Sequence, residues 1–207
     1  MFTGIIECIG KVLSAEQDGS NKIFIIQSNI SSSLKVDQSV SHNGVCLTVV
    51  EVKNDLHKVI AVEETLKRTT LSEWETGTEI NIERAMIANA RFDGHFVQGH
   101  VDAVATVEKM KPSSVKTSAG KQKNGSWIFQ FSLSKSHEGL IVEKGSITIN
   151  GVSLTVVAES KKSFSVAIIP YTHEHTTFSR LKKGEKINIE FDVIGKYVKQ
   201  MMRMKVK

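Results

Sequence analysis

NGVCLTVV, residues 43–50, returns as NGVSLTVV at residues 150–157, with Cys46 exchanged for Ser153 as the single difference. The offset of 107 residues extends well beyond this phrase: SVSHNGVCLTVV (39–50) falls on SITINGVSLTVV (146–157), ETLKRTTL (64–71) on YTHEHTTF (171–178), and GTEINIE (77–83) on GEKINIE (184–190). Near the start, TGI (3–5) falls on QGH (98–100) at an offset of 95, so a 12-residue insertion lies between 100 and 146. The Lys-rich stretch 109–125, with Pro112, Gly120 and Gly125, is its natural host, since loops absorb added length at little cost. The chain therefore divides into two homologous halves, 1–92 and 93–191, followed by a tail, 192–207. Two copies do not make a solenoid, and each half is long enough to close its own core.

Within each half the pattern is β. KIFIIQS (22–28), VCLTVVEV (45–52), HKVIAVE (57–63), SWIFQFSL (126–133) and SFSVAII (163–169) are rich in Val, Ile, Phe and Thr and are separated by Gly, Asn, Asp and Ser, the composition of short strands between turns. Brief helices are expected near 65–73 and 172–181. Several short strands in fewer than 100 residues predict an all-β fold, one small antiparallel barrel per half. Side chains alternate along a strand, so Val45, Leu47 and Val49 share one face and Cys46, Thr48 and Val50 the other. The second copy repeats this with Val152, Leu154 and Val156 against Ser153, Thr155 and Val157. In a closed barrel the aliphatic set faces inward. The outward set is part apolar and part thiol or hydroxyl in both copies, which suits a ligand wall or an interface as well as a solvated surface. Asn-Gly before each strand signals a tight hairpin turn. In DVIGKYVKQMMRM (192–204), Val193, Ile194, Tyr197, Val198, Met201 and Met202 recur at helical spacing behind an N-cap at Asp192. That stripe suits either the chain's own barrel or copies of the chain, and its place outside the repeat favours the second.

The composition is that of an ordinary globular protein, 40% hydrophobic and 24% charged. No apolar run approaches the roughly 20 residues of a membrane span, and MFTGIIECIG lacks the basic start and apolar core of a secretory signal, so a cytoplasmic protein without membrane association is expected. Two cysteines, Cys8 and Cys46, are too few for a disulfide framework. The net charge of +5 is concentrated in 109–125 and the tail. Neither interleaves aromatic residues with Lys and Arg as a single-strand binder does, so no nucleic-acid partner is expected.

Chemistry-bearing residues are sparse. His95 and His100 in FDGHFVQGHVDA (92–103) are five apart, which is neither a strand-face nor a helical metal pair. His173 and His175 fall on Leu66 and Arg68 of the first half and read as a solvated surface. There is no CxxC pair, phosphate loop, dinucleotide fingerprint or GxSxG, so metal, nucleotide and acyl-enzyme chemistry all lack support. The halves diverge at Ile5/His100, Cys46/Ser153 and Glu63/Pro170. A duplicated scaffold with unequal polar groups can hold two similar molecules in two different ways, as a reaction between two copies of one substrate requires. In such a reaction His100 suits a general acid or base and Cys46 a nucleophile or hydrogen-bond donor.

Five segments, MFTGI, HNGVCLTV, GHFVQGHVD, SITINGVSLTV and NIEFDVIGKYV, resemble riboflavin synthase of the α-chain type in order and spacing over nearly the whole chain. The resemblance implies two six-stranded antiparallel Greek-key barrels and a carboxy-terminal helix that holds a homotrimer. It implies dismutation of two molecules of 6,7-dimethyl-8-ribityllumazine to riboflavin and 5-amino-6-ribitylamino-uracil, with no metal or added cofactor and with one lumazine per barrel. Family ligand positions fall, for the first barrel, on Gly4, Ile5 and Ile6, on Cys46, Leu47 and Thr48, and on Ile60, Ala61, Val62, Glu63, Glu64 and Thr65. For the second they fall on Gly99, His100 and Val101, on Lys144, on Ser153, Leu154 and Thr155, and on Ala167, Ile168, Ile169, Pro170, Tyr171 and Thr172. The family's candidate catalytic groups fall on Ser39, Cys46, His100 and Asp192. Asn150 stands where relatives often carry Asp, and reads as a turn residue. A fluorescent antenna protein that holds lumazine or flavin without turnover is the neighbouring alternative.

Overall fold

The computed structural model describes the chain except residues 90, 114, 117–121, 124, 133–136, 138 and 206–207, and gives only the backbone of 115, 116, 122, 123 and 205. Parts of the Lys-rich insertion and the end of the basic tail lie outside the described residues.

The first half contributes β1 (Cys8–Asp18), β2 (Asn21–Gln27), β3 (Ser39–His42), β4 (Val45–Lys53), β5 (Leu56–Ala61), α1 (Glu63–Arg68) and β6 (Glu79–Arg84). The second contributes β7 (Ala103–Pro112), the two-residue ladder of β8 (Val115–Lys116) and β9 (Gln122–Lys123), then β10 (Trp127–Ser132), β11 (Ser146–Ile149), β12 (Val152–Glu159), β13 (Ser163–Ile168), α2 (Pro170–His175) and β14 (Lys186–Phe191). Helix α3 (Val193–Lys205) ends the described chain. Each half closes a six-stranded antiparallel barrel, β1-β2-β5-β4-β3-β6 and β7-β10-β13-β12-β11-β14, in the same Greek-key order. Ala15 opposes Phe24 in the first β1–β2 hairpin, whereas Met110 opposes Phe129 in its equivalent, so most of the insertion sits in the β7–β10 hairpin.

The alternation read from the sequence holds. Val45, Leu47 and Val49 are buried in the first core and Val152, Leu154 and Val156 in the second, while Val50 and Val157 are exposed. Both copies carry a bulge at the same place, between Val49 and Glu51 and between Val156 and Ala158. The helices are shorter than expected. Thr69 and Thr176 are extended (φ −130° and −133°) and end α1 and α2, after which short 3-10 turns begin. The cause is local: each threonine hydroxyl donates to the carbonyl four residues back, Thr65 or Thr172, and accepts from the N–H two residues on, Leu71 or Phe178. A threonine that caps the following turn in this way competes with helix continuation. His173 also departs from expectation: instead of a purely solvated surface it stacks on Trp127 with the rings parallel and 4.4 Å apart.

The Asn-Gly turns do more than close hairpins. Asn43 and Asn150 take left-handed φ values of 47° and 46°, and both turns are buried where the barrels meet. A Cβ on Gly44 would lie 2.8 Å from the Gly151 amide nitrogen. Around this contact the bonds are reciprocal. Asn81 Nδ2 donates to the Asn150 carbonyl and Asn188 Nδ2 to the Asn43 carbonyl; Thr177 N–H donates to Asn81 Oδ1 and Thr70 N–H to Asn188 Oδ1. The barrels are thus related by a pseudo-twofold axis through the two phrases. Asn150 serves as a turn and interface residue here, accepting from the Asn188 N–H at 2.8 Å.

Candidate functional site

Two short segments cross between the barrels. Phe2 and Val97, equivalent positions of the repeat, form a mutual antiparallel bridge on the axis, Phe2 N to Val97 O at 2.7 Å and Val97 N to Phe2 O at 3.1 Å. Beyond it, the Gly4 carbonyl accepts from the Ser153 N–H at 2.8 Å, and the Gly99 carbonyl accepts from the Cys46 N–H at 2.9 Å. Ile6 packs on the second core and Val101 on the first. The expected grouping is therefore corrected: Gly4, Ile5 and Ile6 complete the wall of the second barrel, and Gly99, His100 and Val101 that of the first. The reason is steric as well as topological. Gly4 and Gly99 sit at φ of 79° and 80°, and a Cβ on either would lie 2.6 Å from Ser153 Cβ or 2.5 Å from Cys46 Cβ. Only glycine lets the backbone approach so closely in this conformation.

Two buried carboxylates anchor the crossings. Glu83 accepts from Thr3 N–H, Thr3 hydroxyl and Gly4 N–H; Glu190 accepts from the N–H groups of Gln98, Gly99 and His100, all within 3.0 Å. Burial pushes both carboxyls above their usual range, and the N–H donors pull them back in part. Sequence reasoning assigned neither residue a role, although both close the matched phrases GTEINIE and GEKINIE.

In the second barrel the wall borders a cavity of about 380 Å³ lined by Ile5, Asp93, Gly94, Ser146, Ser153, Leu154, Thr155, Ala167, Ile169 and Thr172. Seven of the expected ligand residues meet there. Their repeat equivalents in the first barrel are His100, Cys46, Leu47, Thr48, Ile60, Val62 and Thr65, with Ser39 in the place of Ser146. Ser39 opposes Thr48 and Ser41 opposes Cys46 across β3–β4, so all four share the outward face. Ser39 also lines a groove of about 500 Å³ that meets the second-barrel cavity at Ile5 and Asp93. Ala61 and Ile168 are fully buried; alternation turns them into the cores, leaving only their backbone for a ligand. Lys144, at φ 66°, gives its N–H to the Val156 carbonyl in the loop before β11.

The four candidate catalytic groups divide. Cys46, half-buried, and His100, exposed, belong to the first wall beside Ser39. Asp192 belongs to the second: its Oδ1 accepts from the Ile194 N–H at 2.9 Å, capping α3 as expected, and its charge acts on His95. His95 itself, passed over by the sequence reading except as a metal ligand, bonds Ser153 and Thr148. Among the described residues no cluster of His, Cys, Asp and Glu is arranged for a metal ion, and no helix is long and apolar enough to cross a membrane.

A paired barrel with two pseudo-equivalent walls is the architecture of lumazine-binding proteins, and the comparisons agree. The lumazine binding domain family matches residues 3–85 and 98–192, one match per barrel. Solved structures of LumP resemble the whole chain: the complex with 6,7-dimethyl-8-(1'-D-ribityl) lumazine has a TM-score of 0.79 at 22% identity, covering 92% of this chain and 99% of that one, and the riboflavin complex has 0.81. Sequence relatives are nearer. Riboflavin synthase of Actinobacillus pleuropneumoniae is 37% identical over 99% of this chain and 91% of its own length, and that of Bacillus subtilis is 37% identical over 96% and 88%. The chain belongs to the riboflavin synthase family and is an enzyme of that type.

Proposed function

We propose that the protein dismutates two molecules of 6,7-dimethyl-8-ribityllumazine, moving a four-carbon unit from one to the other and releasing riboflavin and 5-amino-6-ribitylamino-uracil. The units are a lumazine-binding barrel at 1–92, a second at 93–191, and a trimerising helix at 192–207 in a cytoplasmic homotrimer. The observation that carries the reading is the pair of equivalent walls, each completed by a crossing segment from the other half. One ends in Ile5 and faces Ser153; the other ends in His100 and faces Cys46. Two copies of one substrate are thereby held in matching cradles with unequal polar groups. Orientation of this kind supplies much of the rate of a two-molecule reaction.

The chemistry starts at the C7 methyl group, which is acidic because its carbanion delocalises into the ring. His100, or water it positions, removes the proton from one lumazine. A nucleophile assisted by Cys46, Ser39 or Asp192 adds to C7 of the other. The rings join and elimination releases both products. The exposed stripe of α3, with Ile194, Tyr197, Val198, Met201 and Met202 each at least half exposed, supports assembly. In the trimer the first barrel of one subunit would meet the second of its neighbour.

Incubation with the lumazine alone tests the reading. Riboflavin should appear at one molecule per two substrates consumed, with no metal or cofactor added. Protein that binds the lumazine, remains fluorescent and forms no riboflavin would instead be an antenna, the reading the LumP likeness offers.

A further inference from the structure

Ser153 stands on the wall of the second-barrel cavity, and His95 stands behind it. His95 Nδ1 lies 2.7 Å from Ser153 Oγ, and its Nε2 lies 3.1 Å from the Thr148 hydroxyl. The first barrel carries Cys46 and Ser41 at these two places, and its own buried histidines, His42 and His57, bond each other inside the core. The exchange of one sulfur for one oxygen between the two phrases is therefore coupled to a second difference, a half-buried imidazole placed beside the oxygen by the residues just before the Val97–His100 crossing.

We propose that His95 is a positioning residue for the second-barrel site, fixing the direction of the Ser153 hydroxyl and so making the two cradles chemically unequal. The inference rests on the reading that the cavity holds a lumazine or flavin ring. With the ring of His95 neutral and Nε2–H donated to Thr148, Nδ1 accepts the Ser153 proton. The Ser153 oxygen then faces the cavity as a hydrogen-bond acceptor, suited to a ring N–H. Protonation of His95 makes Nδ1 a donor, and the Ser153 hydroxyl turns its own proton toward the ligand instead. Among the described residues no histidine bonds the Cys46 thiol, so this particular switch acts on the second cradle alone.

The surroundings favour the neutral ring. Burial lowers the pKa of His95 from its usual value, and the Asp192 carboxylate, facing it from the end of β14, raises it part of the way back. From β11 and β12 it meets Thr148 and Ser153, neither of them titratable, and Asp93 lines the cavity two residues before it. Loss of the accepting Ser153 oxygen is thus expected on the acid side of about pH 6.5.

Three variants test this, each read by riboflavin formation from the lumazine between pH 5 and 8 and by riboflavin affinity from fluorescence quenching. His95→Asn keeps an acceptor near the Nδ1 position without a titrating ring; it should hold most of the neutral-pH rate and lose the acid decline of riboflavin affinity seen in the unmodified protein, a readout that does not depend on the proton abstraction assigned to His100. His95→Phe should lower kcat about five- to tenfold, the effect of one lost hydrogen bond. In Ser153→Ala, further substitution of His95 should change neither readout. An unchanged acid decline of affinity in His95→Asn, or multiplicative effects of Ser153→Ala and His95→Phe, overturns the proposal. If His95→Phe does not fold, the other two variants still decide it. If the unmodified protein binds riboflavin but makes none from the lumazine, the functional reading fails while the coupling of His95 to Ser153 is judged on affinity. If it binds no riboflavin, both fail.

Discussion

Gly4 and Gly99 each occupy a point where the backbone of one half touches the repeated strand of the other, and their conformation and clearance leave no room for a side chain. Gly99→Ala must either shift Cys46 or abandon the left-handed conformation, which costs roughly 1–2 kcal/mol before the steric clash is added. The midpoint of thermal unfolding should fall and riboflavin formation should drop further than stability alone explains, because the Cys46 wall moves. An alanine variant with unchanged midpoint and turnover would show that the crossing is looser than these contacts require. Glu190→Gln removes one of two oxygens that accept three N–H bonds. It should cost about 2 kcal/mol in denaturant titration, the range for a lost charge-assisted bond in a buried place. On the proposed mechanism, in which holding two rings in place supplies much of the rate, Cys46→Ala and His100→Gln should each slow turnover by roughly ten- to a hundredfold without abolishing it. Complete loss in a folded, lumazine-binding Cys46→Ala variant would instead make the thiol indispensable.

At the scale of elements, β3 and β5 of the first barrel contribute His42 and His57 to a buried chain of hydrogen bonds. Ser28 and Ser31 hydroxyls lie 2.8 Å apart, Ser31 lies 2.8 Å from His57 Nδ1, His57 Nε2 lies 2.9 Å from His42 Nε2, and His42 Nδ1 lies 3.0 Å from the Val40 carbonyl. A carbonyl can only accept, so His42 carries its proton on Nδ1 and accepts from His57 at Nε2. His57 in turn accepts from Ser31. Both rings are neutral in this arrangement. Burial draws His57 down to about 4 and His42 well below its usual value, the second with a further push from His57. A histidine kept neutral only in the folded state costs stability once the unfolded chain protonates. Stability is full above about pH 6.5 and falls as the pH drops toward 4, by roughly 3 kcal/mol for His57. The equivalent positions in the second barrel are Ile149 and Phe164. Replacing His42 by Ile and His57 by Phe together should flatten that acid limb in denaturation measured from pH 7 to 4; a limb that persists would locate the acid sensitivity elsewhere. The amphipathic pattern of α3 was legible in the sequence. In the proposed trimer copies of the chain cover it, and charging the stripe with Met201→Glu and Val198→Lys should then lower the mass measured by sedimentation; an unchanged mass would remove the helix from assembly.

For the whole molecule, a second groove, of about 460 Å³ and lined by Asn43, Asn150, Glu73, Glu79, Arg180 and Lys186, lies where the two Asn-Gly turns meet and shows how the halves recognise each other. Glu73 and Glu79 of the first half are replaced by Arg180 and Lys186 in the second, and the pairs formed are Glu73 with Lys186 and Glu79 with Arg180. Acid on one half meets base on the other, so pairing first with second barrel is favoured over pairing like with like. Glu73, Lys186 and Arg180 are each more than half exposed and Glu79 is about a third exposed, so each pair contributes little. Lys186→Glu should lower the thermal midpoint by about 2–4 °C, and adding Glu73→Lys should restore it; failure of the second change to compensate would remove the pairing role.

How much was readable follows from the range of each interaction. The duplicated phrases, the buried faces of β4 and β12, the Asn-Gly turns and the cap at Asp192 are local. Alternation, turn chemistry and capping act within a few residues, and repetition at one offset ties the two copies together. The outward faces holding Cys46, Ser153 and their neighbours were legible for the same reason. The sequence could not show that Gly4 lies on Ser153 and Gly99 on Cys46. Either assignment satisfies the same strand pattern, and only the packing of two barrels about their axis chooses between them. Glu83, Glu190 and His95 gained their roles from that choice, because their partners are 53 to 92 residues away in the chain. By itself the sequence determined two equivalent walls. The tertiary structure decided which crossing segment completes each, because only contact between the halves sets Gly4 on Ser153 and Gly99 on Cys46. It also closed the second half on itself so that His95 reaches Ser153, 58 residues further on, a distance over which no local pattern acts.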